Sequence, residues 1–233
     1  MIVITLAGES SRFFNEGFDL VKYKLPYGDS TIIENILSFM PREEKLLIIL
    51  NKKFKDRAFM ESLLHRLAFR EFEIVEIYSS RGQLESVYLG LINSDLFWNS
   101  KDYLTIFNGD TIRKSNIWYY ENCDGLLEVF IADGDHWSFV DNVQNVSLVS
   151  EKVRISPYCS SGLYFFKSVA LFLDNYLNYI GQFNEEYFIA PYYNLLIKKG
   201  FNISCSLVQC DSFVFCGTPV EYNNSTSLLN SKN

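Results

Sequence analysis

The stretch from Ile2 to Tyr27 constrains the fold more than any other part of the chain. Ile2-Val3-Ile4-Thr5-Leu6 is a continuous apolar run, the pattern of a strand buried on both faces, as in a parallel sheet covered by helices. It ends in the small pair Ala7-Gly8, which lets another group approach the backbone closely. A polar loop follows, Glu9-Ser10-Ser11-Arg12, and then two spaced cations, Lys22 and Lys24. A buried strand opening into such a loop is geometry suited to handling phosphate.

The rest of the first half repeats the theme. Thr31 and Glu34 have capping-box spacing, which predicts a helix from Ile32 to about Met40 that stops before Pro41. Leu46–Leu50 reads as a second buried strand. Lys55–Phe69 reads as an amphipathic helix with Phe59, Leu63, Leu64 and Leu67 on its apolar face and His65 on its solvated one. Phe72–Ile77 reads as a third strand. Alternating strands and helices call for a mostly parallel sheet with right-handed crossovers, and ligands of such sheets sit beyond the carboxyl ends of the strands.

Gly82-Gln83 then opens a further helix, and Gln83 offers a donor and an acceptor to a planar base edge, although the pair also suits an ordinary helix start. Tyr103–Phe107 is another apolar run, ending in Asn108-Gly109-Asp110. A carboxylate there is placed to hold a hard cation against phosphate oxygens, yet Asn-Gly and Gly-Asp are also turn formers. From Asp124 the pattern changes to antiparallel strands: Gly125–Phe130, His136–Val140 and Val146–Val149. His136-Trp137 stands either at an acceptor or at a packed hairpin tip. Two amphipathic helices are predicted at Val169–Tyr179 and Tyr187–Lys199, with strands at Ile203–Leu207 and Phe213–Cys216. The segment from Asn223 to Asn233 reads as a polar, frayed tail after a single domain spanning 1–222.

Composition bounds the function. A chain of 233 residues that is 48% hydrophobic buries a substantial core. A net charge of -7 with dispersed Lys and Arg argues against a nucleic-acid surface. Five cysteines with no C-x-x-C pair indicate neither a disulfide framework nor a zinc ribbon. No apolar run approaches the roughly 20 residues that span a bilayer. A soluble, cytoplasmic protein that contacts neither membrane nor nucleic acid is expected, with homo-oligomerisation left open.

Leu6-Ala7-Gly8-Glu9-Ser10-Ser11-Arg12 with Lys22 resembles the signature of the sugar-phosphate nucleotidyltransferases, L-A-G-G-x-G-S/T-R followed by P-K. It departs at Glu9 and Ser10, where small residues or glycine are usual, at Ser11, where Gly or Ser/Thr alternate, and at Val21, where proline precedes the lysine. The resemblance implies a Rossmann-like three-layer α/β/α fold with a mostly parallel mixed sheet and a small antiparallel lobe on the acceptor side. It also implies transfer of a nucleoside monophosphate from a triphosphate to a phosphate monoester, with release of pyrophosphate.

In that family Arg12 would grip the β- and γ-phosphates and Lys22 would bridge the α-phosphate and acceptor, with Lys24 as the alternative lysine. Asp110 would bind catalytic Mg2+. Leu6 to Ser11, Gly82, Gln83 and Asn108 would bind the nucleotide. Glu151, Lys152, Ser161, Gly162 and His136 would meet the acceptor, with Arg154 a weaker candidate. Asn184, Glu185 and Glu186 match a short acidic segment of the family. Gly217-Thr218-Pro219-Val220-Glu221 resembles the G-T-P-E ending with one residue inserted.

One departure matters for the metal. Phe215 stands where the family has a second metal-binding aspartate. The replacement would be Asp211 or Glu9, or else Asp110 would hold the ion with waters and phosphates alone. Cytidine is the first expectation for the nucleotide, in the supply of surface-polysaccharide precursors. The acceptor, a hexose or heptose phosphate or an ester such as phosphocholine, is not readable. Two other classes compete: a nucleotide-binding regulator that has lost chemistry, and a glycosyltransferase, which Asn108-Gly109-Asp110 disfavours because it is not D-x-D.

Overall fold

The protein is seen here as a computed structural model that describes residues 1–95, 98–114, 122–180 and 186–230. β1 (Ile2–Leu6) is followed by α1 (Ser11–Asn15), a 3-10 turn at Lys22–Lys24, and a short hairpin of β2 (Pro26–Tyr27) and β3 (Ser30–Thr31). Three crossover units come next: α2 (Ile32–Ser38) to β4 (Leu46–Asn51), α3 (Arg57–Arg66) to β5 (Phe72–Ile77), and α4 (Gln83–Ile92) to β6 (Leu104–Asn108). The second half begins with β7 (Thr111–Arg113), β8 (Gly125–Ile131), β9 (Ser138–Val140), β10 (Val149–Glu151) and β11 (Tyr158–Phe166). It closes with α5 (Val169–Ile180), α6 (Tyr193–Lys198), β12 (Ile203–Leu207), β13 (Phe213–Phe215) and α7 (Pro219–Asn230).

The central sheet runs β10-β9-β11-β6-β1-β4-β5, with β8 on β11 and β12 on β8. β6, β1, β4 and β5 are mutually parallel, as are β8 and β12, whereas β11 lies antiparallel to β6, β8 and β9. β1 alternates its buried side chains between two cores. Val3 joins Leu47, Leu84, Val87 and Leu91 on the α4 and α5 face, and Ile2, Ile4 and Leu6 join Ile33, Ile36, Leu63 and Leu64 on the α2 and α3 face. Each fully buried aliphatic side chain of this kind contributes roughly 1.5–3 kcal/mol, so a strand with no wet face is strongly held in register. This is the three-layer α/β/α arrangement, with the antiparallel strands continuing the same sheet.

Register decides where the site falls. Thr5 of β1 lies opposite Asn108 of β6, so the loops after both strands leave the sheet side by side. A short antiparallel pair of β7 and β13 then places Phe215 opposite Thr111, next to that same exit.

Several boundaries differ from the pattern-based expectation, each for a local reason. Thr31 does cap α2, its Oγ1 accepting from the Glu34 N–H at 3.3 Å. The predicted helix from Tyr187 instead begins as a 3-10 turn at Ala190–Tyr192 and becomes α6 only at Tyr193, because Pro191 has no N–H to give and restricts the residue before it. The strand expected at Val146 starts at Val149. The segment expected as a frayed tail is helical through Asn230. Thr218 and Glu221 start that helix, and Tyr222 anchors it by packing on Phe13 and Phe18 and donating to the Pro26 carbonyl at 2.7 Å. Asn184 and Glu185 of the acidic segment, and residues 231–233, lie outside the described residues.

The lysine turn is braced from below. Asp56, 6% exposed, accepts from Tyr23 Oη at 2.6 Å and pairs with Lys24 Nζ at 2.9 Å. Burial and this carboxylate push the Tyr23 phenol well above its ordinary range. Asp56→Ala would strand a buried hydroxyl and an ammonium together, so a loss of about 3 kcal/mol is expected, read as a lower urea midpoint, with Tyr23→Phe costing about 1 kcal/mol.

Candidate active site

A cleft of about 710 Å³ opens at the carboxyl ends of β1 and β6. Of the residues singled out from sequence, Ala7, Gly8, Glu9, Arg12, Gly82, Gln83, Asn108, Asp110, His136, Glu151, Lys152, Ser161 and Gly162 line it. Lys22 enters through its partner: Nζ lies 2.6 Å from Asp110 Oδ2, joining residues 88 apart in sequence. Arg12 is exposed on the same cleft and has no ion-pair partner among the described residues. Arg12 and Asp110 therefore line one cavity, and Lys22 reaches it through its contact with Asp110.

Three of the loop residues do not line the cleft. Leu6 is core, 4% exposed, and Ser11 opens α1 with its side chain toward solvent. Ser10 has a different task. It adopts a left-handed backbone, φ 53°, of the kind glycine usually supplies, and its hydroxyl accepts from the Lys22 N–H at 3.1 Å. Val21 meanwhile takes φ -60° and ψ 144°, dihedrals proline would enforce, so the missing proline leaves the turn's shape intact.

Other expectations are corrected. Lys24 is held by Asp56 and lies over the Phe59 ring, so of the two lysines it is Lys22 that reaches Asp110. Arg154 pairs with Asp135 at 3.1 Å and donates to the Ala132 carbonyl, closing a hairpin outside the cleft. Asp211 sits in an exposed 3-10 turn away from the cleft, where its carbonyl accepts from Lys114. Glu9 lines the cleft but is committed to Lys53 Nζ at 2.8 Å and Asn51 Nδ2 at 3.0 Å, which hold its carboxyl below the usual range. Asn51 also donates to the Ala7 carbonyl at 3.0 Å, so the first loop is tied to the end of β4.

Gln83 Nε2 donates to Thr5 Oγ1 at 3.0 Å and to Asn108 Oδ1 at 2.7 Å, which leaves its carbonyl oxygen as the group open to a ligand. Backbone bonds from Tyr187 N to Arg81 O and from Leu84 N to Tyr187 O strap this segment down. Thr5 and Tyr187 escaped the sequence reading because each looks like ordinary strand or core.

The far wall is aromatic. Trp137 packs on His136, Phe130 and Phe215, with the Phe215 centroid 4.9 Å away. Phe215 thus completes an apolar cluster with Phe130 and Phe213 rather than facing a cation. Lys152 Nζ lies over the Phe188 ring at 4.3 Å. Burial raises the Glu151 carboxyl above its usual range, opposed by hydrogen bonding from Ser138 and by Lys152, and reinforced by the like charge of Glu186. Beneath the wall a buried Arg113–Glu128 pair receives the Ser161 hydroxyl at 2.7 Å, which fixes the irregular middle of β11.

Gly162 lies in that irregularity with φ 85°, and a Cβ there would fall 2.0 Å from Asn108 Nδ2. Gly162→Ala is therefore expected to displace Asn108 and to destabilise the fold by about 1–3 kcal/mol, measured by thermal unfolding.

The same fold is found in known proteins. A solved structure described as a nucleoside-diphosphate-sugar pyrophosphorylase from Vibrio cholerae RC9 is 34% identical, spans 97% of this chain and 100% of its own, and superposes with a TM-score of 0.90. The inositol-1-phosphate CTP transferase of T. maritima shares the fold at 13% identity, covering 99% of this chain and 94% of its own with a TM-score of 0.77. A UDP-glucose pyrophosphorylase complexed with UDP-glucose does so at 12% identity, covering 100% and 98% with a TM-score of 0.76. No protein-family model and no curated protein sequence matches the chain. The chain belongs to the sugar-phosphate nucleotidyltransferases, enzymes of the EC 2.7.7 type. No helix among the described residues is long and apolar enough to cross a membrane.

Proposed function

We propose that the protein transfers a nucleoside monophosphate from CTP to a phosphate monoester such as a sugar phosphate, in the cytoplasm, as part of surface-polysaccharide precursor supply. The observation that carries this reading is the Lys22–Asp110 pair on the cleft that Arg12 also lines. An oxygen of the acceptor phosphate attacks the α-phosphorus of the triphosphate. The new oxygen–phosphorus bond forms as the bond to the β-phosphate oxygen breaks, and pyrophosphate leaves. The attacking group is already an anion at neutral pH, so no strong base is needed. The difficulty is bringing two anions together.

Cations held in place before reaction lessen that repulsion without reorganisation cost. Arg12 grips the outer phosphates, and Lys22 lies between the α-phosphate and the acceptor. Magnesium fits the donor chemistry, since Asp110 offers a hard carboxylate to the cleft. When bound, it would withdraw charge from the α-phosphate oxygens. Glu151, Lys152, Ser161, Gly162 and His136 hold the acceptor against the aromatic wall.

A base that bears an amino group, cytosine among them, is supported over uracil or thymine by Gln83. With its amide protons given to Thr5 and Asn108, it has an acceptor left for the amino group of cytosine.

A pyrophosphate-release screen of four triphosphates against a phosphate-ester library tests the reading. Release that requires both CTP and an ester is expected, and Lys22→Ala and Asp110→Ala should each lower turnover by about a hundredfold or more. Binding without release would make the protein a regulator, and near-normal turnover in both variants would remove the mechanism.

A further inference from the structure

We infer that Glu221 supplies the second carboxylate for the divalent cation, in place of the side chain at position 215. The inference rests on the transfer reading above. A Cβ built on Gly217 would stand 3.2 Å from Glu221 Oε2 and 3.3 Å from Asp110 Oδ2. The two carboxylate oxygens are thus at most about 6.5 Å apart, those distances laid end to end. Asp110, Gly217 and Glu221 all line the cleft, and the space between the carboxylates is left open because residue 217 has no side chain.

The fold builds this approach. Phe215 pairs with Thr111, and Cys216 N donates to Asp110 O at 2.8 Å, so the chain leaving β13 is fastened to the Asp110 turn. α7 starts just beyond, bringing Glu221 onto the turn's open side.

Charge points the same way. Lys22 answers one of the two carboxylates and leaves the other uncompensated within this group. Magnesium takes one or two carboxylates and keeps several waters, so two carboxylates with phosphate oxygens and water make a sufficient set. Phe215 meanwhile is locked among Phe130 and Trp137, where no ligand is needed.

Glu221 also caps α7, its Oε2 accepting from Thr218 N at 2.8 Å and from Thr218 Oγ1 at 3.0 Å. Glutamine serves a capping box equally well, whereas only the carboxylate carries charge to a cation. That difference separates the two roles.

The test is electron paramagnetic resonance of Mn2+ titrated into the full chain with each of the four non-reactive α,β-methylene triphosphates. The unaltered chain should bind Mn2+ with at least one of them. Glu221→Gln should weaken that binding about tenfold or more, with a melting temperature within about 2 °C of the unaltered chain. Gly217→Ala, which puts a methyl into the gap, should weaken it as well. Mn2+ held by Glu221→Gln as tightly as by the unaltered chain overturns the inference, as does no bound Mn2+ with any of the four. Should Glu221→Gln unfold, unchanged affinity in Gly217→Ala overturns it instead. The measurement needs no turnover, so bound Mn2+ without pyrophosphate release would defeat the transfer reading alone.

Discussion

The contact between Lys22 and Asp110 is the constraint around which the rest is arranged. Both side chains are about a quarter exposed, so the pair is neither a screened surface bridge nor a fully desolvated one. Holding it requires two distant segments to arrive at one point. The parallel register of β1 and β6 brings their exits level, and Ser10, Val21 and Asp56 shape and brace the turn that carries the lysine. Each support is modest, but together they fix a cation before any ligand arrives.

The opposite wall of the cleft is built on a different principle. β11 runs antiparallel alongside β6, and its irregular middle presses Gly162 onto Asn108. The buried Arg113–Glu128 pair holds that irregularity through Ser161. A buried ion pair is weak evidence for stability, since desolvation offsets much of its attraction. Its geometric value is clearer, because removing either member would leave a charge stranded beneath the cleft wall.

Much of this was legible in the residues. Runs such as Ile2–Leu6 and Leu46–Leu50 are apolar throughout because both faces of the sheet are covered, and that pattern implies strand order and the location of a site. The Gly8 to Arg12 loop and Asp110 follow from strand ends. What could not be read was the reach of side chains between segments. Nothing local tells Lys22 from Lys24 until Asp56 claims one of them. Glu221 looked like a helix-capping residue because it is one, and only the fold brings it near Asp110. α7 was hidden by its polar composition, since Tyr222 is its single aromatic anchor.

Trp137 has a consequence beyond packing. It is one of three tryptophans in the chain and, among the described residues, the only one lining the cleft, with the His136 ring centroid 4.3 Å away. An indole beside an imidazole emits less light when that imidazole is charged or pressed closer. The cleft therefore contains its own optical reporter, whose signal follows what happens at the aromatic wall without any added label.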